Sequence, residues 1–131
     1  MKKLILISII ILSVVACKKT KFSPEGPTDV RVRNLTVDKT FNEVIVNTSS
    51  GIDTLGNISP GGVSEYYRFD KAFNLAEITV KVNGLLFSTG TVDYYGRTYI
   101  GQAKITYEVF ILDNGNRKLK ISNCSLDAPL D

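Results

Sequence analysis

The 131-residue chain contains no histidine and no tryptophan, and only two cysteines and one methionine. Without histidine there can be no Ser-His or Cys-His nucleophile pair and no imidazole ligand for a metal. The missing tryptophan and a cysteine count of two also leave no Cys…Trp…Cys framework of a true immunoglobulin domain. No apolar run reaches the roughly 18 residues of a spanning helix. The sequence has no Walker A loop, no dinucleotide fingerprint and no EF-hand loop. Asp113-Asn114-Gly115-Asn116 opens like a calcium loop, but the later ligands and the terminal Glu are missing, so a hairpin turn is expected.

The longest apolar stretch is Leu4 to Val15, behind the positive start Met1-Lys2-Lys3. A short basic segment followed by about a dozen apolar residues is the pattern of a secretory signal peptide. The stretch closes on Val14-Val15-Ala16-Cys17, which resembles the lipobox of bacterial lipoproteins. The resemblance implies cleavage before Cys17, lipidation of its thiol and acylation of the new amino terminus. Several acyl chains hold a protein on a membrane far better than one. Residues 1–16 are therefore expected to be the signal peptide, 17–28 the lipidated cysteine and a flexible tether, and 29–131 one β domain. An ordinary secretory signal with a coincidental cysteine is the competing reading.

The lipoprotein resemblance also carries an address. Lys18 stands where enterobacterial lipoproteins retained in the inner membrane carry Asp, which favours the outer membrane. Bacteroidetes-type lipoproteins sent to the cell surface have acidic residues just after the cysteine. Here Lys18-Lys19-Thr20-Lys21 stands there, which favours the periplasmic side.

The net charge of +3 comes from the ends of this arrangement, since five of the sixteen Lys and Arg precede residue 22. From Thr28 onward, eleven Lys or Arg face twelve Asp or Glu, a net charge of −1. A near-neutral domain offers no basic patch, so nucleic acid is not expected as a partner. With Cys17 acylated, Cys124 has no partner within the chain, and is either a small buried hydrophobe or a free thiol.

From Val30 the hydrophobic period is two. Val30 and Val32 alternate with Arg31 and Arg33. Ile78, Val80 and Val82 alternate with Glu77, Thr79 and Lys81. The longest run is Ala103, Ile105, Tyr107, Val109 and Ile111. Asn83-Gly84 is a strong two-residue hairpin signal. Strands are expected near 30–37, 41–48, 63–70, 77–83, 85–92, 102–112 and 117–124, with a short piece near 55–58. Lys71 to Ala76 tolerates one helical turn. About seven short strands predict an all-β, two-sheet antiparallel β-sandwich of Ig-like architecture, with a small β-barrel as the alternative. VRVRNLTVDKTFNEVIVN, then LGNISPGGVSEYYRFDKAF and ITVKVNG, resemble small Bacteroidetes lipoproteins over residues 30 to 84. That resemblance implies a β-sandwich and no particular activity.

No cofactor, metal site or catalytic residue is expected, and the protein is not expected to be an enzyme. Its carboxylates stand at turns and outward strand positions, with no spacing that pairs them. Two segments carry binding potential. Asp93-Tyr94-Tyr95-Gly96-Arg97-Thr98-Tyr99 combines Tyr94, Tyr95, Tyr99 and Arg97, a composition favoured at interfaces. The bland reading is a turn whose tyrosines cover the open end of the domain. Glu65-Tyr66-Tyr67-Arg68-Phe69 directs one aromatic face outward, where Tyr66 and Arg68 suit either a partner or a cross-strand pair. Phe110 lies on the polar side of its strand. The expected function is a lipid-anchored envelope module that binds a protein or a glycan. The alternative is a structural subunit of an envelope complex or fibre, and a small envelope enzyme is the remaining class.

Overall fold

The structure is a computed structural model and describes residues 25–130, so the expected signal peptide and Cys17 lie outside the described residues. It is all β. The strands are β1 (Thr28–Asn34), β2 (Phe41–Asn47), β3 (Ile52–Ile58), β4 (Tyr67–Phe69), β5 (Glu77–Val82), β6 (Leu85–Ser88), β7 (Ala103–Asp113) and β8 (Lys118–Pro129). They form one eight-stranded sheet in the order β3-β2-β5-β6-β8-β7-β1-β4.

The expected two-sheet sandwich is therefore replaced by the barrel alternative: one sheet curls almost closed on itself. The pairing is also mixed, because β1 runs parallel to β7 and β6 runs parallel to β8. Side-chain alternation cannot separate these architectures, since a sandwich and a barrel both bury every second residue.

The seam between β3 and β4 is stitched at both ends. At one end, buried Asn34 donates from Nδ2 to the Ile58 carbonyl at 3.2 Å and the Lys39 carbonyl at 2.7 Å. Its Oδ1 accepts from Thr36 N at 2.9 Å. The Gly61 amide donates to the Asn34 carbonyl at 2.8 Å, and the Asn34 amide to that of Gly62 at 2.9 Å. At the other end, Ser50 Oγ donates to the Lys71 carbonyl at 2.8 Å and accepts from the Lys71 amide at 3.1 Å. Such bonds satisfy main-chain groups that an open edge would leave exposed.

The core is the inner face of the curled sheet. Val30 and Val32 from β1, Ile78 and Val80 from β5, and Ile105, Tyr107 and Val109 from β7 are fully buried. In β2 a bulge after Phe41 shifts the register, with Glu43 at φ 48°. The extra residue lets both Phe41 and Val44 point inward despite their odd spacing, leaving Ile45 only half-buried.

The β5–β6 hairpin turns at Asn83 (φ 51°) and Gly84 (φ 79°), the left-handed pair that a two-residue primed turn requires. The 113–116 segment is likewise a hairpin turn, with Asp113 accepting from the Asn116 amide at 3.2 Å and its Nδ2 at 2.7 Å.

Several expected boundaries move. The minor piece near 55–58 is a full strand, β3. The strand expected over 63–70 shrinks to Tyr67–Phe69 plus a bridge between Arg33 and Val63. The strand expected over 85–92 ends at Ser88, and the one over 117–124 extends to Pro129. Residues 71–76 form no helix. Thr28, expected in the tether, is fully buried in β1 and donates from Oγ1 to the Gly101 carbonyl at 2.5 Å.

Candidate functional site

The segment 89–100 leaves β6 and crosses one end of the barrel. It is fastened first by Glu77, whose Oε1 accepts from the Val92 amide at 3.0 Å. Tyr94 follows, donating from its hydroxyl to the Asn47 carbonyl at 2.9 Å and accepting from the Glu77 amide at 3.1 Å. Burial raises the Tyr94 pKa, partly offset by the bond from the Glu77 amide. The Phe73 ring lies 4.8 Å from the Tyr94 ring and 5.1 Å from the Tyr99 ring, both tilted. Such contacts add about 0.5–1.5 kcal/mol per aromatic pair beyond the area buried. Lys71 Nζ sits 4.5 Å from the Tyr99 ring centre, within cation–π range. The Ile100 amide closes the segment by donating to the Ala72 carbonyl at 2.9 Å.

Between these fastenings the chain turns outward. The Tyr95 amide donates to Asp93 Oδ1 at 3.0 Å, and the Arg97 amide to the Tyr94 carbonyl at 3.1 Å. Gly96 takes φ 74°, a conformation costly for other residues. Arg97 Nε donates back to the Asp93 carbonyl at 2.9 Å. The result presents Tyr95 at 95% exposure, the largest value among the exposed large hydrophobic residues. Of the four residues singled out in this loop, Tyr94 and Tyr99 thus hold it down, while Tyr95 and Arg97 face solvent.

Tyr66 belongs to a different neighbourhood. Its hydroxyl donates to Asp127 Oδ2 at 2.8 Å, and Thr106 Oγ1 donates to the same oxygen at 2.5 Å. Arg31 Nε donates to Thr106 Oγ1 at 2.8 Å, and the Arg31 guanidinium lies 4.7 Å from the Tyr66 ring centre. Lys104 Nζ is 5.7 Å from the same ring. Burial raises the Tyr66 pKa, and the bond to Asp127 and its charge raise it further.

Arg68 pairs across strands with Asp29 in a two-pronged contact, at 2.8 Å and 3.2 Å. The bond and charge of Asp29 raise the pKa of Arg68. Phe110 is half-buried on the outer face of β7, opposite Lys120 of β8. Tyr66 and the loop have different partners, whereas Lys120, opposite Phe110, lines one depression together with Asp93 and Arg97 of the loop.

Two depressions flank the Lys71–Tyr99 pair. One of about 370 Å³ adds Ser49, Ser50, Asp70 and Phe73, and the other, of about 250 Å³, adds Glu25 and Gly26. Among the described residues, no three His, Cys, Asp or Glu side chains converge on a point that would hold a metal. Every buried side-chain nitrogen or oxygen there has a hydrogen-bond partner. Cys124 is half-buried and unpaired, and desolvation, helped by the charge of Asp127, pushes its thiol up to about 11. It is a weak nucleophile at neutral pH.

Sequence reasoning missed Lys71 and Phe73, which support the loop, and the trio Arg31, Thr106 and Asp127. The trio occupies outward strand positions with no local mark that they meet. The outward phase of Arg31 and Thr106 was their only signal.

No protein-family model and no curated protein matches the chain. Among solved structures, it is similar to the NMR structure of a protein from Eubacterium rectale, at TM-score 0.49 and 18% identity. The match covers 82% of this chain and 99% of that one.

Proposed function

We propose that the protein is a lipid-anchored, non-catalytic binding module of the bacterial cell envelope, tethered through Cys17 to the periplasmic side of the outer membrane. Its ligand is a protein or a glycan, met by the outward part of the 93–99 loop. The observation that carries the reading is the division of labour in that loop. Tyr94 and Tyr99 are tied to the barrel, and Tyr95 is thrust into solvent beside Arg97. An exposed aromatic on a fastened loop offers contact area at little entropic cost, because the backbone is already ordered. The half-buried thiol of raised pKa and the absence of histidine argue against nucleophilic chemistry.

The anchoring half of the proposal is tested by fractionating cells that express the wild-type chain or Cys17→Ala. Wild type is expected in the outer membrane, and the variant as uncleaved precursor or free protein. Equal membrane partition of both would refute lipidation at Cys17. The binding half is tested with the full chain on a glycan array and against envelope extract. Capture that disappears in Tyr95→Ala supports it, and capture indifferent to that change removes the loop from the site.

A structural role in an envelope assembly is the second reading. One specific observation favours it: among the described residues, β8 has an outer edge paired only at Lys118.

A further inference from the structure

β8 pairs with β7 from Lys118 to Pro129. On its other edge it meets β6 at one position, Ser88 opposite Lys118, and β6 ends there. From Leu119 onward, among the described residues, no strand pairs with that edge. Among the described residues, the irregular segments 74–76 and 89–100, and no strand, stand beside that edge.

Along that edge Ile121 and Cys124 are half-buried and Leu126 is exposed, while Leu119 is buried. A register shift between Glu108 and Val109 keeps both halves of β8 in phase, so Leu119, Ile121, Cys124 and Leu126 stand opposite Ile111, Val109, Tyr107 and Ile105. Two depressions follow one another along the edge. The first, about 320 Å³, lies between Leu119–Ile121 and the 89–97 loop, with Val92, Asp93 and Arg97 on its far side. The second, about 300 Å³, is floored by Ile100, Ile105, Cys124 and Leu126. Together they run along about eight residues of strand, or roughly 26 Å.

The charge around the first depression is mainly positive. Arg97 and Lys120 line it, Arg117 and Lys118 are exposed at the same end of β8, Asp93 is engaged by the Tyr95 amide, and Asp113 stands opposite Lys118. Lysines on an edge strand also discourage pairing between two copies of that strand.

We infer that this edge accepts an extended segment of a partner protein in which apolar and acidic residues alternate. The segment's amides pair with β8, its apolar side chains fill the two depressions, and its carboxylates meet Lys118, Lys120 and Arg97. Strand addition of this kind takes affinity from main-chain bonds and selectivity from alternate side-chain pockets. The inference rests on the binding-module reading and narrows its ligand to a peptide, with the 89–97 loop as one wall of the groove.

The test uses the full chain in detergent micelles and a fluorescent nonapeptide of alternating valine and glutamate. Two further versions carry N-methyl groups on the odd or on the even amides, and a fourth replaces glutamate by lysine. Anisotropy is expected to show saturable binding of the parent peptide. One methylated series should lose binding by roughly tenfold or more while the other keeps it, because an added strand uses one edge only. Lys120→Glu is expected to weaken the parent peptide and favour the lysine version, and hydrogen exchange should slow at Ile121 to Leu126 on binding. Equal binding of both methylated series would overturn strand addition. So would preference of the wild-type protein for the lysine peptide, or concentration-dependent self-association that competes with the peptide. A blank peptide experiment beside Tyr95-dependent capture of another ligand would end this inference and leave the binding module standing.

Discussion

The Tyr107 hydroxyl, on the inner face of β7, donates to the main-chain carbonyl of Phe73. This bond joins the centre of the barrel to the segment that supports the tyrosine loop, because the Phe73 ring packs against both Tyr94 and Tyr99. Tyr107 is fully buried, and burial holds its phenol neutral by raising its pKa well above the usual value. A buried carbonyl deprived of its donor costs about 1–3 kcal/mol. Tyr107→Phe keeps the ring and removes the donor, so urea unfolding should show a loss in that range. Hydrogen exchange should also speed up at Ile100, whose amide is held by the neighbouring Ala72 carbonyl. A loss of stability confined to the core strands, with Ile100 unchanged, would sever the proposed link.

Cys124 yields a pH prediction. Its folded pKa is about 11, against 9.0 for the free group. Between about pH 9 and 11 the unfolded chain releases a proton that the folded chain keeps. Stability from this group is thus present below pH 9 and lost as pH rises through that window. Cys124→Ala should flatten the decline, leaving the part contributed by tyrosines with raised pKa. In a Cys17→Ala background at pH 8, alkylation of the native thiol should be on the order of 100-fold slower than in urea. Similar rates in both would mean that the thiol is not desolvated.

The outer-face network gives a third expectation. Asp127→Ala removes the acceptor shared by Tyr66 and nearly buried Thr106. A loss of about 1–2 kcal/mol is expected. The Tyr66 pKa should fall, since the bond and charge of Asp127 both raise it and those of Thr106 and Arg31 lower it. Phenolate absorbance in a pH titration reads this directly.

How far the sequence reveals this molecule depends on whether a feature is local. The strand of Ala103 to Ile111 and the Asn83-Gly84 turn are legible because alternation and turn chemistry act between near neighbours. β3 is nearly hidden: Ile52, Thr54 and Gly56 lie exposed on an edge strand, leaving Leu55 and Ile58 as its buried apolar residues. The 63–70 run reads as a longer strand than it is, because Ser64 turns its hydroxyl to the Val32 amide at 3.1 Å. The parallel pairing of β1 with β7 joins residues that no local pattern connects. The tyrosine loop was visible as composition, but its division into fastened and free tyrosines depends on Asn47, Glu77, Lys71 and Phe73. Those supports are remote in sequence.

The central claim is that the 93–99 loop separates holding from binding, and paired measurements of stability and ligand capture test it most directly. Tyr95→Ala should change unfolding free energy by no more than about 0.5 kcal/mol, as exposed substitutions do, while abolishing capture. Tyr94→Phe, which loses the donor to Asn47 and the acceptor for Glu77, should cost about 1–2 kcal/mol and leave capture intact at temperatures where the variant is folded. Capture that survives Tyr95→Ala, or that falls only in step with stability across both variants, would contradict the account.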